Sequence, residues 1–98
     1  MKRVRFHEEA RAELIHEVEF YTSISRKLGE RFDQSVKAAV NLAAGFPDAG
    51  SPHFFETRRT FPKKFPFSVV YLNFEGEVFI VAIAPDSRKP RYWRSRVR

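Results

Sequence analysis

Phe67-Ser68-Val69-Val70-Tyr71-Leu72-Asn73-Phe74, then Glu75-Gly76, then Val78-Phe79-Ile80-Val81-Ala82-Ile83-Ala84: this run decides the fold. β-Branched and aromatic residues crowd both apolar stretches and a Glu-Gly pair parts them, which predicts two strands joined by a tight turn. Along the first strand Phe67, Val69 and Tyr71 fall on one side, and Val70, Leu72 and Phe74 on the other. Along the second, strict alternation sets Val78, Ile80 and Ala82 against Phe79, Val81 and Ile83. Both faces are apolar, whereas a sheet with one face in water alternates apolar with polar. This sheet needs two covers.

Upstream, Phe54 to Phe61 reads as a further strand, and Pro62 and Pro66 bracket a turn with the basic tip Lys63-Lys64. The three strands form an antiparallel meander. Phe46 to His53, with Pro47, Gly50, Ser51 and Pro52, is a loop by composition. Before it lie two helix patterns. Ala10, Leu14, Val18 and Tyr21 recur at helical spacing, with Leu28 on the same line and Gly29 as the break. Phe32, Val36, Ala39, Val40 and Ala43 mark a second helix from about Glu30, with Gly45 placed as its cap and Pro47 beyond. Glu8, Glu9 and Glu13 load the start of the first helix, as the macrodipole favours. Val4 to Phe6 alternates and reads as a short leading strand.

The expected architecture is α+β: a short N-terminal strand, then an antiparallel two-helix hairpin packed on an antiparallel meander, then a basic tail or short helix. The hairpin covers one sheet face. The segment around Tyr92 and Trp93, or another chain, covers the other, and eleven phenylalanines sharpen that question.

With 98 residues the chain is one domain, residues 1–98, and 43% hydrophobic with 31% charged residues is the composition of a soluble globular protein. No cysteine is present, so a disulfide scaffold, a thiol nucleophile and a thiolate zinc site are excluded. No apolar run approaches the roughly 20 residues of a membrane span, and the N-terminus lacks a signal-peptide core. A cytoplasmic protein without membrane contact is expected.

The net charge of +6 is lopsided. Residues 1–50 carry eight basic and eight acidic side chains, while residues 51–98 carry ten basic and four acidic. Six of those basic residues crowd into the last eleven positions. Such a field attracts a polyanion: nucleic acid, an acidic protein partner or a membrane surface. A plain solvated tail is the competing account.

Few residues fit familiar chemistry. His16 with Glu13 and Glu17 lacks the second histidine a zinc protease needs, and neither His7 nor His53 has a metal-ligand neighbour at the right spacing. No metal or cofactor is expected. The four glycines make no phosphate loop, and no serine sits in a nucleophile elbow. The tail differs. Arg88-Lys89-Pro90-Arg91-Tyr92-Trp93-Arg94-Ser95-Arg96 interleaves cations with rings, as a phosphate-neutralising, base-stacking surface requires. Equally, Tyr92 and Trp93 pin the tail to the sheet while the arginines face water. Arg58 shares a strand face with Glu56 and Thr60, and Arg59 with Phe55 and Phe61. An arginine among apolar neighbours needs partners: Asp86 or Glu77 in a salt bridge, or a phosphate in a cleft beside Lys63, Lys64 and Arg88.

The order of parts resembles the RelE/ParE family of toxins from type II toxin–antitoxin (plasmid stabilisation) systems. The resemblance rests on the leading strand, the helix hairpin, Phe46-Pro47-Asp48-Ala49-Gly50 and the Arg58-Arg59 strand. Lys64-Phe65-Pro66-Phe67 running into Val69-Val70-Tyr71, then Val81-Ala82-Ile83-Ala84, Arg88-Lys89-Pro90 and Tyr92-Trp93-Arg94-Ser95-Arg96 complete it. It spans essentially the whole chain. Pro85 stands where many relatives carry a histidine.

The resemblance implies a growth-arresting toxin held inactive by a cognate antitoxin, whose often acidic segment would suit both the uncovered apolar surface and the basic charge. It also implies two mechanisms. RelE-like members are ribosome-dependent mRNA endonucleases, for which Arg58, Arg59, Lys64, Arg88 and Tyr92 are the matching catalytic candidates, with His53 outside that set. ParE-like members inhibit DNA gyrase by binding. Lys63, Lys64, Arg88, Lys89, Arg91, Tyr92, Trp93, Arg94 and Arg96 would then form the target surface. The basic half lacks an evident base beyond His53 and four acids, so the binding mechanism is preferred. A nucleic-acid-binding module, without a groove-reading helix, comes last.

Overall fold

The computed structural model describes residues 1–97; Arg98, the last basic residue of the tail, lies outside the described residues. Strand β1 (Arg3–Phe6) leads into helices α1 (Glu8–Ile24) and α2 (Arg26–Gly45). Strands β2 (Ser51–Pro52), β3 (Arg58–Thr60), β4 (Phe67–Phe74) and β5 (Glu77–Pro85) follow, and a 3-10 turn at Arg94–Arg96 closes the chain. The expected α+β architecture is present. The sheet has the order β1-β5-β4-β3-β2, with β1 parallel to β5 and every other pair antiparallel.

The helix break lies earlier than Gly29. Ser25 is extended (φ −159°, ψ 143°), its N–H closes α1 on the Tyr21 carbonyl, and its hydroxyl accepts from the Leu28 N–H to cap α2. A side-chain oxygen that satisfies a free N–H of the first turn is a stronger start signal than glycine is a stop. Gly29 sits inside α2, buried, where a Cβ would run into Thr22 of α1. Its lack of a side chain lets the helices cross closely. Gly45 ends α2 without a left-handed turn; Phe46 is the cap.

Beneath the hairpin, Ala10, Phe32, Val36, Ala43, Val69, Tyr71, Val78, Ile80 and Ile83 form the main core. Tyr21, Phe32, Phe65 and Phe67 interlock at ring separations of 4.9 to 6.5 Å. They clamp the Pro62–Pro66 turn onto the helices. The β5 alternation breaks at a bulge: Val70 faces Ala82 but Tyr71 faces Ile80, leaving Val81 as the extra residue. Ile83, not Ala82, therefore joins Val78 and Ile80 under the helices, and Val81 and Ala82 both turn to the second face.

That second face is covered from within. Trp93, 2% exposed, packs with Val70, Phe79, Val81 and Ala82, flanked by Tyr92 and Val97. The tail's rings are pinned to the sheet. Even so, six of the eleven phenylalanines remain exposed: Phe20, Phe46, Phe54, Phe55, Phe61 and Phe74.

The strand expected over Phe54–Phe61 is only Arg58–Thr60. Before it, Phe55 (φ 60°) and Glu56 (φ 62°) are left-handed within a 3-10 turn. The N–H and the hydroxyl of Thr57 both donate to the Phe54 carbonyl, and the His53 N–H donates to the Thr57 carbonyl. These bonds fold residues 53–57 into the loop of a β2–β3 hairpin, where a straight strand would have left β2 unpaired.

Candidate functional site

Strand β3 separates its two arginines. Arg58 lies opposite Tyr71, and its Nη1 donates to the carbonyls of Asp48 (3.1 Å) and Gly50 (2.7 Å). The Tyr71 hydroxyl donates to the Pro47 carbonyl at 2.6 Å. Gly50 lies so close to Tyr71 that a Cβ would overlap the phenol. Arg58 is thus a tether for the α2–β2 loop, while Arg59, for which Asp86 or Glu77 was the expected salt-bridge partner, pairs with neither. Glu77 pairs with Arg5 at 2.9 Å.

Arg59 points to the other side, its guanidinium 5.1 Å from the centre of the Phe61 ring. It lines a cleft of about 200 Å³ between β3, the end of β5 and the tail, together with His53, Ser68, Asp86, Arg88 and Tyr92. Ser68 is 4% exposed. Arg59 Nε is buried and has no hydrogen-bond partner among the described residues. Burial first, and the nearby Arg59 charge second, hold the His53 imidazole below its usual range. Lys89 and Arg91 stand at the rim, both exposed.

A polar junction the sequence reading passed over closes the tail. Glu13 accepts from the Ile83 N–H (3.0 Å), from the Tyr92 hydroxyl (2.7 Å) and from both terminal nitrogens of Arg96 (3.0 and 2.9 Å). Arg96 Nη1 also donates to the Val81 carbonyl at 3.1 Å. The Glu13 and Arg96 side chains are 15% and 12% exposed. Glu13 was credited to the helix macrodipole. A signal was available: it lies three residues after Ala10 and beside Leu14, on the flank of the buried stripe. Arg96, expected among the target contacts, is occupied internally. Burial first, then donation to Glu13, raises the Tyr92 phenol above its ordinary range, so it holds its proton.

Three tail arginines stack on rings. Arg88 sits 3.8 Å from the centre of Tyr92, Arg91 4.6 Å from Phe54 and Arg94 4.8 Å from Phe55. Arg94 borders a wide groove on the second sheet face with Arg5, Phe55, Leu72, Phe74 and Phe79. Lys63 and Lys64 stand apart, at the turn against α2, where Ser35 donates to the Lys63 carbonyl and Lys64 is left-handed (φ 69°). They line a groove of about 730 Å³ with Arg31, Leu42, Phe61 and Phe65.

Of the five catalytic candidates, Arg59, Arg88 and Tyr92 share one cleft, with His53 added; Arg58 and Lys64 are engaged elsewhere. Among the described residues, no three His, Asp or Glu side chains gather as a metal site. Among the described residues, no helix is long and apolar enough to cross a membrane.

A helix hairpin lies on one face of a mixed sheet, and the basic tail closes the other. A solved structure of the chromosomal ParDE TA system from P. aeruginosa has the same fold, with a TM-score of 0.75 at 19% identity, covering 87% of this chain and 96% of that chain. Among curated proteins, none matches the chain. The sequence profile of the ParE toxin of type II toxin-antitoxin systems, parDE, matches residues 4–90. The chain belongs to that ParE toxin family.

Proposed function

We propose that this protein arrests growth by binding and inhibiting DNA gyrase, and that a cognate antitoxin neutralises it. One observation carries the preference for binding over mRNA cleavage: of the five side chains a nuclease would combine, two lie outside the cleft that Arg59, Arg88 and Tyr92 share, and the Tyr92 hydroxyl is already engaged. Arg58 is bound to loop carbonyls, Lys64 lies beside α2, and the Tyr92 hydroxyl donates its hydrogen bond to Glu13. A cleavage step needs a base for the 2′-hydroxyl and an acid for the leaving oxygen; His53 and Asp86 line the Arg59–Arg88 cleft, but the Tyr92 hydroxyl, the candidate acid, is committed to Glu13. The exposed cations Lys89, Arg91 and Arg94 supply the target contacts.

The antitoxin is the proposed cover for the exposed phenylalanines. The groove beside α2 offers Leu42, Phe61 and Phe65 between the cations Arg31, Lys63 and Lys64, which suits an apolar segment flanked by carboxylates.

Induced expression without antitoxin, followed by labelled thymidine and amino-acid incorporation over the first minutes, separates the mechanisms. An early fall in DNA synthesis with translation holding is expected, together with loss of gyrase supercoiling by the purified protein. An early fall in translation, with supercoiling untouched, would overturn the proposal in favour of mRNA cleavage.

A further inference from the structure

At the tip of the β2–β3 hairpin two consecutive non-glycine residues, Phe55 (φ 60°) and Glu56 (φ 62°), hold left-handed backbone. For a bulky side chain that conformation is strained, and it persists only where the surroundings impose it. Here the bonds from Thr57 to the Phe54 carbonyl and from the His53 N–H to the Thr57 carbonyl impose it. The strain does not bring burial. Phe54 and Phe55 stay 46% and 38% exposed, with ring centres 6.3 Å apart. Buried Trp93 meets the Phe55 ring in a T-shaped contact at 6.0 Å and holds it in place. Arg91, itself left-handed (φ 67°), lies over Phe54, and Arg94 lies over Phe55. Among the described residues neither arginine forms a salt bridge. Two strained turns, one in the hairpin and one in the tail, thus set two ring–guanidinium pairs side by side at the surface.

We propose that this knob is a protein-docking surface: Phe54 and Phe55 enter an apolar pocket of the protein whose inhibition arrests growth, and Arg91 and Arg94 engage carboxylates on its rim. Exposed aromatic rings framed by arginine have the composition of an interface hot spot. A guanidinium stacked on a ring keeps its N–H edge for a carboxylate, so the partner is acidic. Charge argues against a second copy, which would bring the same two arginines to the contact. A nucleic-acid base would compete with the guanidiniums for the ring faces, whereas a protein pocket closes round the ring edges and leaves the pairs intact. Phe55 also walls the groove that runs to Phe74 and Phe79, which extends the apolar surface beyond the knob. The docking surface rests on the reading of the protein as one that acts by binding, and it does not need gyrase as the partner.

Phe55→Gly separates docking from folding, because glycine relieves the left-handed backbone while the ring is lost. Phe54→Ser removes the more exposed ring. Both variants are expected to unfold cooperatively within a few degrees of the parent. Both should need at least about tenfold more protein to inhibit supercoiling by purified gyrase, and both should fail to arrest induced cultures. Glu56→Gly relieves the neighbouring strain and keeps both rings, so it should arrest growth like the parent. A parent that arrests growth without touching gyrase, beside two variants that do not arrest, would retire gyrase as the target and keep the docking surface. Growth arrest at the parent's level by the folded Phe54→Ser and Phe55→Gly proteins would overturn it. So would a short fluorescent oligonucleotide that binds the parent and not the variants, since the rings would then belong to nucleic acid.

Discussion

At Glu13 donors from three residues, Ile83 on β5 and Tyr92 and Arg96 in the tail, converge on one carboxylate, and among the described residues Arg96 makes no other salt bridge. Removing the carboxylate strands a largely buried guanidinium, and breaking such a pair from one side costs about 3 kcal/mol. Glu13→Ala is therefore expected to lower the unfolding free energy read from urea titration by that amount, whereas Glu19→Ala, on an exposed position of the same helix, should stay within about 0.5 kcal/mol of the parent. Tyr92→Phe removes one charge-assisted hydrogen bond and should cost about 1.5 to 3 kcal/mol. The pH dependence follows from the same phenol. A group whose proton is held more tightly in the folded state stabilises below its unfolded pKa, near 10 for tyrosine, and loses that contribution as pH rises past it. Tyr21 and Tyr71 are raised too, both chiefly by burial. Stability should thus decline above about pH 10, and Tyr92→Phe should show a shallower decline in urea titrations across that range.

At the scale of elements, two glycines of α2 have opposite meanings. Alanine is the better helix former by about 1 kcal/mol, so Gly45→Ala, whose Cβ would come no nearer than 4.0 Å to Met1 Cε, should raise the melting temperature slightly. At Gly29 the new methyl would meet the Thr22 Cα and Cβ at 3.0 Å, and overpacking outweighs propensity. Gly29→Ala is expected to destabilise by about 1 to 3 kcal/mol, and Thr22→Ala on that background should recover part of the loss. The apolar stripes of both helices and the Phe67–Ala84 hairpin were legible because burial repeats at each element's own period. The β5 bulge was not. Alternation is a local rule, and which residue is extra depends on the register with β4. Nor was the turn at Phe55 and Glu56, since neither residue type announces a left-handed backbone.

Across the whole molecule the basic tail is both surface and core. Trp93 roofs the second sheet face, so Trp93→Ala should cost about 3 to 5 kcal/mol, read by chemical unfolding. Deleting residues 90–98 removes that roof together with Arg96, and loss of growth arrest in such a truncation would report unfolding as much as lost contact. Arg91→Ala and Arg94→Ala are the cleaner probes. Both side chains are exposed and stack on Phe54 and Phe55, and their loss should reduce growth arrest in induced cultures with the melting temperature almost unchanged.

Some of the site was legible in order and some was not. The concentration of cations after residue 51, the absence of thiols and the need for a second cover on the sheet all follow from residue types and their period. The sequence by itself determined the two-helix, meander and basic-tail order, because hydrophobic periodicity is written residue by residue. Only the tertiary structure decided which arginines are free. Arg58 and Arg59 are neighbours in the chain, yet a strand sends them to opposite faces, one to loop carbonyls and one to an open cleft. Arg96 and Arg94 are two residues apart, yet one meets Glu13 across the fold and the other a ring at the surface. A cation's partner is a matter of distance in space, and distances between remote segments exist only once the chain has folded.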